Sequence, residues 1–386
     1  MDILVALDSL KGSISSKHAN EVVKEGLLLA DPDFRVHTVP IADGGEGTVE
    51  ALVEGINGVY KQVEVTGPLG EKVQARYGIL GDGKTAVIEI AEACGFPLVP
   101  KQKRNPLYTT SYGVGEMILD AAKNGCNEFI IGLGGSATND AGIGMLQALG
   151  FQFYDEQGIE VGQGGQSLSK VAHINDRNVF QIVKEGSFLV ACDVNNPLYG
   201  ENGAAYVFGP QKGADVKIVK RLDTGLRHFA KIVLDQFHLN LQSIPGAGAA
   251  GGLGAAFAGF LQAKLVPGVE LIFHQIRLEK TVSKMDLIIT GEGKLDNQTN
   301  FGKAPAGIAK LAKRFGVPVV AIAGDVRKAD QRLHEQGIDA YFSIIPGPMD
   351  LEKAMEPCTT KENLKRTGEQ IGRIIRLLHG SRGQVL

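Results

Sequence analysis

Short, unbroken apolar runs that end in clusters of acidic, glycine and hydroxyl residues recur along the chain. The first is Ile3–Leu7, which runs into Asp8-Ser9-Leu10-Lys11-Gly12-Ser13. Behind it Ala19, Val22, Val23, Gly26, Leu27 and Ala30 fall at helical spacing, with Ser15 or Ser16 placed to cap that helix. Val36–Ala42 predicts a second strand that runs into Asp43-Gly44-Gly45-Glu46-Gly47-Thr48, and Val49, Leu52 and Val53 open another helix. The same order returns near the carboxyl end, where Met285–Thr290 runs into Gly291–Asp296 and Val317–Ala323 into Gly324-Asp325-Val326. Tyr341–Ile345 gives one more strand, and a capping box, Thr359 with Glu362, is expected to open a last helix. Strands apolar on both faces and alternating with helices predict an α/β fold with a doubly wound parallel sheet covered on both sides.

The middle of the chain has a different pattern. Val63–Val65, Val73–Leu80 and Ala86–Ile90 place β-formers around Gly-Pro and Gly-Asp-Gly turns, which predicts hairpins. A domain built from both chain ends, 1–62 plus 283–386, is therefore expected to carry an inserted mixed α/β domain over 63–282, with an active site in the cleft between them. At 386 residues the chain is too long for one ordinary core, which agrees with two domains.

Composition narrows the function classes. With 44 % apolar and 22 % charged residues and a net charge of −3, this is a folded globular chain with no basic excess for nucleic acid. No run of about 18 uncharged apolar residues offers a membrane span, and no basic segment with a cleavage site precedes Ile3, so a cytoplasmic location is expected. The four cysteines, Cys94, Cys126, Cys192 and Cys358, lie far apart without CxxC spacing and read as reduced thiols. The eight histidines show no HExxH spacing, and there is no GxSxG elbow. The 51 glycines stand well above the usual ~7 % and cluster beside acids and hydroxyls, where backbone can approach a ligand closely.

Three glycine motifs need separate readings. Gly78–Thr85 matches the phosphate-loop pattern GxxxxGK[ST], but β-like residues both precede and follow it, so a hairpin with a Gly-Asp-Gly turn is expected instead. Gly132-Leu-Gly134-Gly135-Ser136-Ala137 follows the apolar Phe129–Ile131 and reads as a glycine-rich helix start flanked by Ser136, Thr138, Asn139 and Asp140, suited to an anion. Asp155, which could mimic a ribose-binding acid, sits in a Gly158-containing hairpin turn. Gly246–Gly254 satisfies GxGxxG without a strand ahead of it, and tight packing of small residues explains it as well as ligand contact does.

Ligands of open α/β sheets bind outside the carboxyl ends of the strands. Asp8 with Lys11, Asp43 with Glu46, Glu292 with Lys294 and Asp296, and Asp325 all fall there, as does Asp193 after Phe188–Cys192. Carboxylates mixed with Lys11, Lys294 and Lys303 suit a Mg²⁺-bound polyphosphate, in which acids hold the metal and lysines screen the oxygens.

Six segments carry a family resemblance, in order and nearly end to end. They are Asp8–Gly12, Ala42–Thr48, Gly132–Asp140, Ala191–Leu198, Phe208–Gly213 and Thr290–Asp296, and they resemble the signatures of bacterial-type, two-domain glycerate kinases. The resemblance implies a flavodoxin-like parallel α/β domain with a second α/β domain, dependence on ATP and Mg²⁺, D-glycerate as acceptor and 2-phosphoglycerate as product. Lys294 departs from the arginine expected in that turn, keeping charge without a bidentate grip.

On this reading Lys11 and Arg104 hold the substrate carboxylate, with Asp8, Gly44 and Gly45 beside it. Gly134, Gly135, Ser136 and Thr138, together with Lys294, take the ATP phosphates. Asp193 and Asp296 hold Mg²⁺, and Asp43 or Asp193 accepts the hydroxyl proton. The alternatives are 3-phosphoglycerate as product, an NAD-dependent hydroxy-acid dehydrogenase, and a two-domain small-molecule binding protein.

Overall fold

A computed structural model describes residues 1–296, 303–329 and 331–380. The described strands are β1 (Asp2–Leu7), β2 (Arg35–Thr38), β3 (Val59–Thr66), β4 (Lys72–Ile79), β5 (Thr85–Glu89), β6 (Glu128–Gly132), β7 (Gln152–Tyr154), β8 (His173–Asn175), β9 (Ser187–Ala191), β10 (Lys264–Val266), β11 (Leu287–Lys294), β12 (Val319–Asp325) and β13 (Ala340–Ser343). They belong to two compact units. The first comprises Met1–Asp43, Glu50–Gly55 and Val269–Leu386, and the second Gly44–Val49 and Ile56–Gly268.

The first unit holds a five-stranded sheet in the order β13-β12-β11-β1-β2, parallel throughout. Counted along the chain within this unit, the order is 2-1-3-4-5, the flavodoxin-like arrangement. Alternation along β1 explains why the strand lacks a polar face. Ile3, Val5 and Leu7 pack with Ala19, Val23 and Leu27 of helix Ser16–Ala30 and with Leu364 and Ile371 of helix Pro357–Gly380. Leu4 and Ala6 face the other way, toward Ile308 and Ala312 of helix Ala304–Lys313. Burying both faces of such a strand is what a doubly wound sheet does.

Two boundaries depart from the sequence reading. The second strand ends at Thr38, although Ile41 and Ala42 stay buried on the way to Asp43. The last helix begins at Pro357, where a fixed φ suits the first turn, so Thr359 lies inside that turn and its hydroxyl donates to Glu356 at 3.3 Å. Ser15 caps the first helix, accepting from the His18 amide at 3.5 Å.

The second unit holds a mixed sheet, β10-β9-β6-β5-β4-β3. Its β10, β9, β6 and β5 run parallel, while β5, β4 and β3 pair antiparallel. Gly78 pairs with Val87 across β4 and β5, so the GxxxxGK[ST] match is a hairpin. Its turn is held by Asp82, which accepts from the amides of Lys84 and Thr85, both at 2.9 Å, and from the Thr85 hydroxyl at 2.6 Å. Asp155 likewise sits in a tight turn, its amide bonded to Ile159 O at 2.9 Å. The Gly246–Gly254 segment leads into helix Leu253–Phe260, and a Cβ on Gly254 would lie 2.1 Å from the Gly246 carbonyl. Close backbone packing therefore accounts for that motif.

Candidate active site

In a 2-1-3-4-5 sheet the winding reverses between the strands here labelled β1 and β11, and loops leaving their carboxyl ends diverge to open a crevice. Asp8 follows β1 directly, with its amide donating to Gly291 O at 2.8 Å. Glu292 and Lys294 lie in the last residues of β11, and Lys294 is in register with Asp325 of β12. Acids just past β1 and at the ends of β11 and β12 thus line up along the carboxyl end of the sheet. A cavity of about 1120 Å³ opens there, lined among others by Asp8, Lys11, Glu292, Lys294, Asp296 and Lys303.

Ion pairs run around this edge. Lys11 Nζ lies 3.1 Å from Asp43, Lys294 Nζ 3.0 Å from Asp296, Lys303 Nζ 3.3 Å from Glu292, and the Arg327 guanidinium 2.8 Å from Asp325. Asp8 is only 2 % exposed and accepts from the Ser9 amide at 2.6 Å. Burial, and then the negative charge of Asp43, push its carboxyl up to about 7, with Lys11 opposing. Arg327 holds Asp325 down at about 2. The edge therefore combines a carboxyl that resists ionisation, Asp8, with one that Arg327 keeps charged, Asp325, and its lysines are partly exposed, able to turn toward a ligand.

The second unit gathers another set of residues at the carboxyl ends of its parallel strands. Gly44 and Gly45 cross over the end of β6. A Cβ on Gly132 would lie 2.9 Å from Gly44 O, and one on Gly134 2.8 Å from Gly45 Cα. Gly44 itself has φ +92°, and a Cβ there would sit 2.6 Å from Gly268 Cα, 2.9 Å from Ala191 Cβ and 3.5 Å from Asp193 Oδ2. Only glycine fits this approach. Asp193, just beyond β9, accepts from the Gly268 amide at 2.9 Å. Gly44, Gly45, Gly134 and Asp193 are thus brought together.

The glycine-rich turn after β6 is not a helix start. The next helix spans only Ile143–Ala148, with Gly142 as its cap, and the intervening residues fold inward around a buried charge. Lys212, 2 % exposed, donates to Ser136 Oγ at 2.8 Å and to the Thr138 carbonyl at 2.6 Å. Ser136 is 4 % exposed and Thr138 is wholly buried, so of the four residues of this turn expected to meet phosphate, Gly134 and Gly135 reach the surface and the other two do not. Below them the buried Asp140 accepts from the Ser111 amide and hydroxyl, at 2.9 and 2.8 Å, and from the amides of Gly142 and Gly144. Burial still pushes its carboxyl upward, and pulls the Lys212 ammonium down to about 8. Both amide atoms of Asn139 are buried without a hydrogen-bond partner among the described residues.

Arg104 does not share a unit with Lys11. Its guanidinium lies 4.9 Å over the Phe96 ring and donates to Val99 O at 3.4 Å, a local packing role. Sequence reasoning gave no role to Lys212 or to Glu89. The latter ends β5, accepts from the Val49 amide at 2.8 Å and is pushed up to about 7 by burial. Lys212 stood between glycines in the Phe208–Gly213 motif, which was its one available signal; Glu89 had none beyond its place at a strand end. Among the described residues no helix is long and apolar enough to cross a membrane, and no group of three or more His, Cys, Asp or Glu side chains could hold a metal ion.

Comparison with known proteins agrees with this architecture. A model of the glycerate kinase family matches residues 3–376. A glycerate kinase of Halalkalibacterium halodurans is 48 % identical over 354 residues, covering 92 % of this chain and 93 % of that one. The Escherichia coli K12 protein named glycerate 2-kinase is 45 % identical over 372 residues, covering 95 % and 98 %. A crystal structure from Salmonella typhimurium LT2, of a protein provisionally named glycerate kinase 2, superposes with a TM-score of 0.89 at 43 % identity, covering 98 % of this chain and 99 % of that one. The strand order, the acid- and lysine-bearing strand ends and these matches lead to one conclusion: the chain is an enzyme, a kinase, and belongs to the glycerate kinase family.

Proposed function

We propose that the enzyme transfers the γ-phosphoryl group of ATP to the 2-hydroxyl of D-glycerate, giving 2-phosphoglycerate and ADP in the cytoplasm. The observation that carries this reading is the ion-paired edge of the first sheet, where Lys11, Lys294 and Lys303 surround carboxylates at a switch point. Phosphoryl transfer needs positioned cations and a proton acceptor more than covalent chemistry, and this edge supplies both. The name of the Escherichia coli relative favours the 2-hydroxyl.

Lys11 is the cation proposed for the glycerate carboxylate, with Asp8 beside it; Arg104, engaged with Phe96 and Val99, has less support. The hydroxyl proton passes to a carboxylate, Asp43 or Asp193, as the acceptor oxygen bonds to the γ-phosphorus. The bond from that phosphorus to the bridging oxygen breaks, and ADP leaves with the electron pair. Lys294 and the backbone of Gly134 and Gly135 are the groups proposed for the phosphates, and Gly44 and Gly45 bring backbone close to the substrate.

Magnesium takes one or two protein carboxylates and fills its shell with phosphate oxygens and water, so single acids such as Asp296 and Asp193 fit it without a three-ligand cluster. When bound it neutralises charge on the transferred group.

The test is turnover of ATP and D-glycerate with Mg²⁺, followed by ³¹P NMR of the product. A 2-phosphoglycerate resonance is expected. Absence of ADP would overturn the reading, and a 3-phosphoglycerate resonance would overturn the choice of hydroxyl.

A further inference from the structure

The cavity of the first unit is much larger than a three-carbon acid requires: about 1120 Å³, slightly above the range of about 300–1,000 Å³ that encloses drug-sized ligands. Its chemistry is divided. Lys294 at the end of β11, Lys303 at the start of helix Ala304–Lys313 and Arg327 just past β12 line one part, each beside an acid of the same lining, Asp296, Glu292 and Asp325. Ile344, Ile345, Met349, Leu351 and Met355 line another, on the segment after β13. Leu351 is 74 % exposed and Met355 36 %, so large apolar side chains here are open to solvent although they border a concave site. The Met355 methyl also reaches the turn after β1, lying 2.8 Å from where a Cβ on Gly12 would be. A ligand with a flat apolar end and a polyanionic end matches both parts at once, and methionine adapts its unbranched side chain to a planar ring.

We infer that this cavity binds the nucleoside end of ATP, its apolar wall of Met349, Leu351 and Met355 taking the purine and the cations after β11 and β12 taking phosphate oxygens. The inference rests on the kinase reading above and adds to it the location of the base. A three-carbon acid alone would leave the apolar wall wet. A dinucleotide would need a glycine-rich strand-to-helix turn, and the chain after β1 instead folds back through Leu10 and Ile14.

The experiment is calorimetric titration of the whole protein with ADP and, separately, with inorganic tripolyphosphate, which lacks a base. The double variant Leu351→Ser/Met355→Ser changes exposed side chains and leaves the sheet untouched. It is expected to weaken ADP at least about ten-fold, the cost of losing roughly one buried apolar contact, while tripolyphosphate stays within about two-fold. Lys294→Met is expected to weaken both. Unchanged ADP affinity in the double variant, or no ADP binding by the wild-type protein, would overturn the inference. ADP binding that depends on the apolar wall, in a protein that transfers no phosphate to D-glycerate, would uphold it and sink the choice of acceptor.

Discussion

The Lys212 ammonium lies 2.8 Å from the Ser136 hydroxyl, and both groups are sealed from solvent. The lysine thereby fixes the inner side of the turn whose outer side presents Gly134 and Gly135. Replacing it by methionine keeps the volume but leaves Ser136 Oγ and Thr138 O without that donor, at about 1–3 kcal/mol each. Lys212→Met should therefore lower the midpoint of thermal unfolding by several degrees, measured by calorimetry. The difference should shrink as pH falls: the amine titrates near 10.5 when unfolded and near 8 when folded, so its contribution is full above 10.5 and is lost as pH drops through 8. A difference that grew toward neutral pH would contradict this.

Asp8 carries the opposite sign. Its carboxyl is raised from 3.8 to about 7 in the fold, so the stability it contributes is fully present below 3.8 and is lost as pH rises through 7. Asp8→Asn removes that loss. Thermal unfolding of the variant should match the wild type near pH 4 and exceed it near pH 8; equal curves at both ends would show that the carboxyl is ionised at little cost.

Asp193→Asn retains an oxygen that can accept from the Gly268 amide, so the fold should persist by circular dichroism and unfolding midpoint. If Asp193 takes the hydroxyl proton, turnover should fall by about 10²–10⁴. Wild-type turnover in this variant would pass the role to Asp43.

Lys84 provides a control. It sits in an exposed hairpin turn whose geometry is held by Asp82, so Lys84→Ala should leave kcat and the KM for ATP within about two-fold of wild type. A large rise in KM would revive the phosphate-loop match.

The fold was legible where one residue type admits one environment. Ile3–Leu7 is apolar at every position and could only be a strand covered on both faces, and β-formers on either side of Gly81-Asp82-Gly83 made the hairpin readable despite the motif it mimics. The glycine-rich turn after β6 was misread because Ser136, Thr138 and Asp140 look like helix-start residues. Whether such residues cap a helix or turn inward depends on a partner distant in sequence, here Lys212, 76 residues from Ser136. The acids at the strand ends could be found by position, but Glu292 facing Lys303 and Asp8 resisting ionisation follow from burial, which sequence spacing does not encode.

β1 pairs with β11, the central strand of the first sheet, and the Thr290 hydroxyl reaches the Ala6 carbonyl at 2.7 Å across 284 residues. During synthesis, β1 and β2 therefore leave the ribosome long before β11, the strand that must lie on the other side of β1. Nearly all of the second unit is made in that interval and can complete its own core first. The earliest residues of the chain are among the last to be secured, with their apolar faces unprotected in the meantime. Limited proteolysis of nascent chains arrested before and after Lys294 would show this order as late protection of the amino-terminal strands.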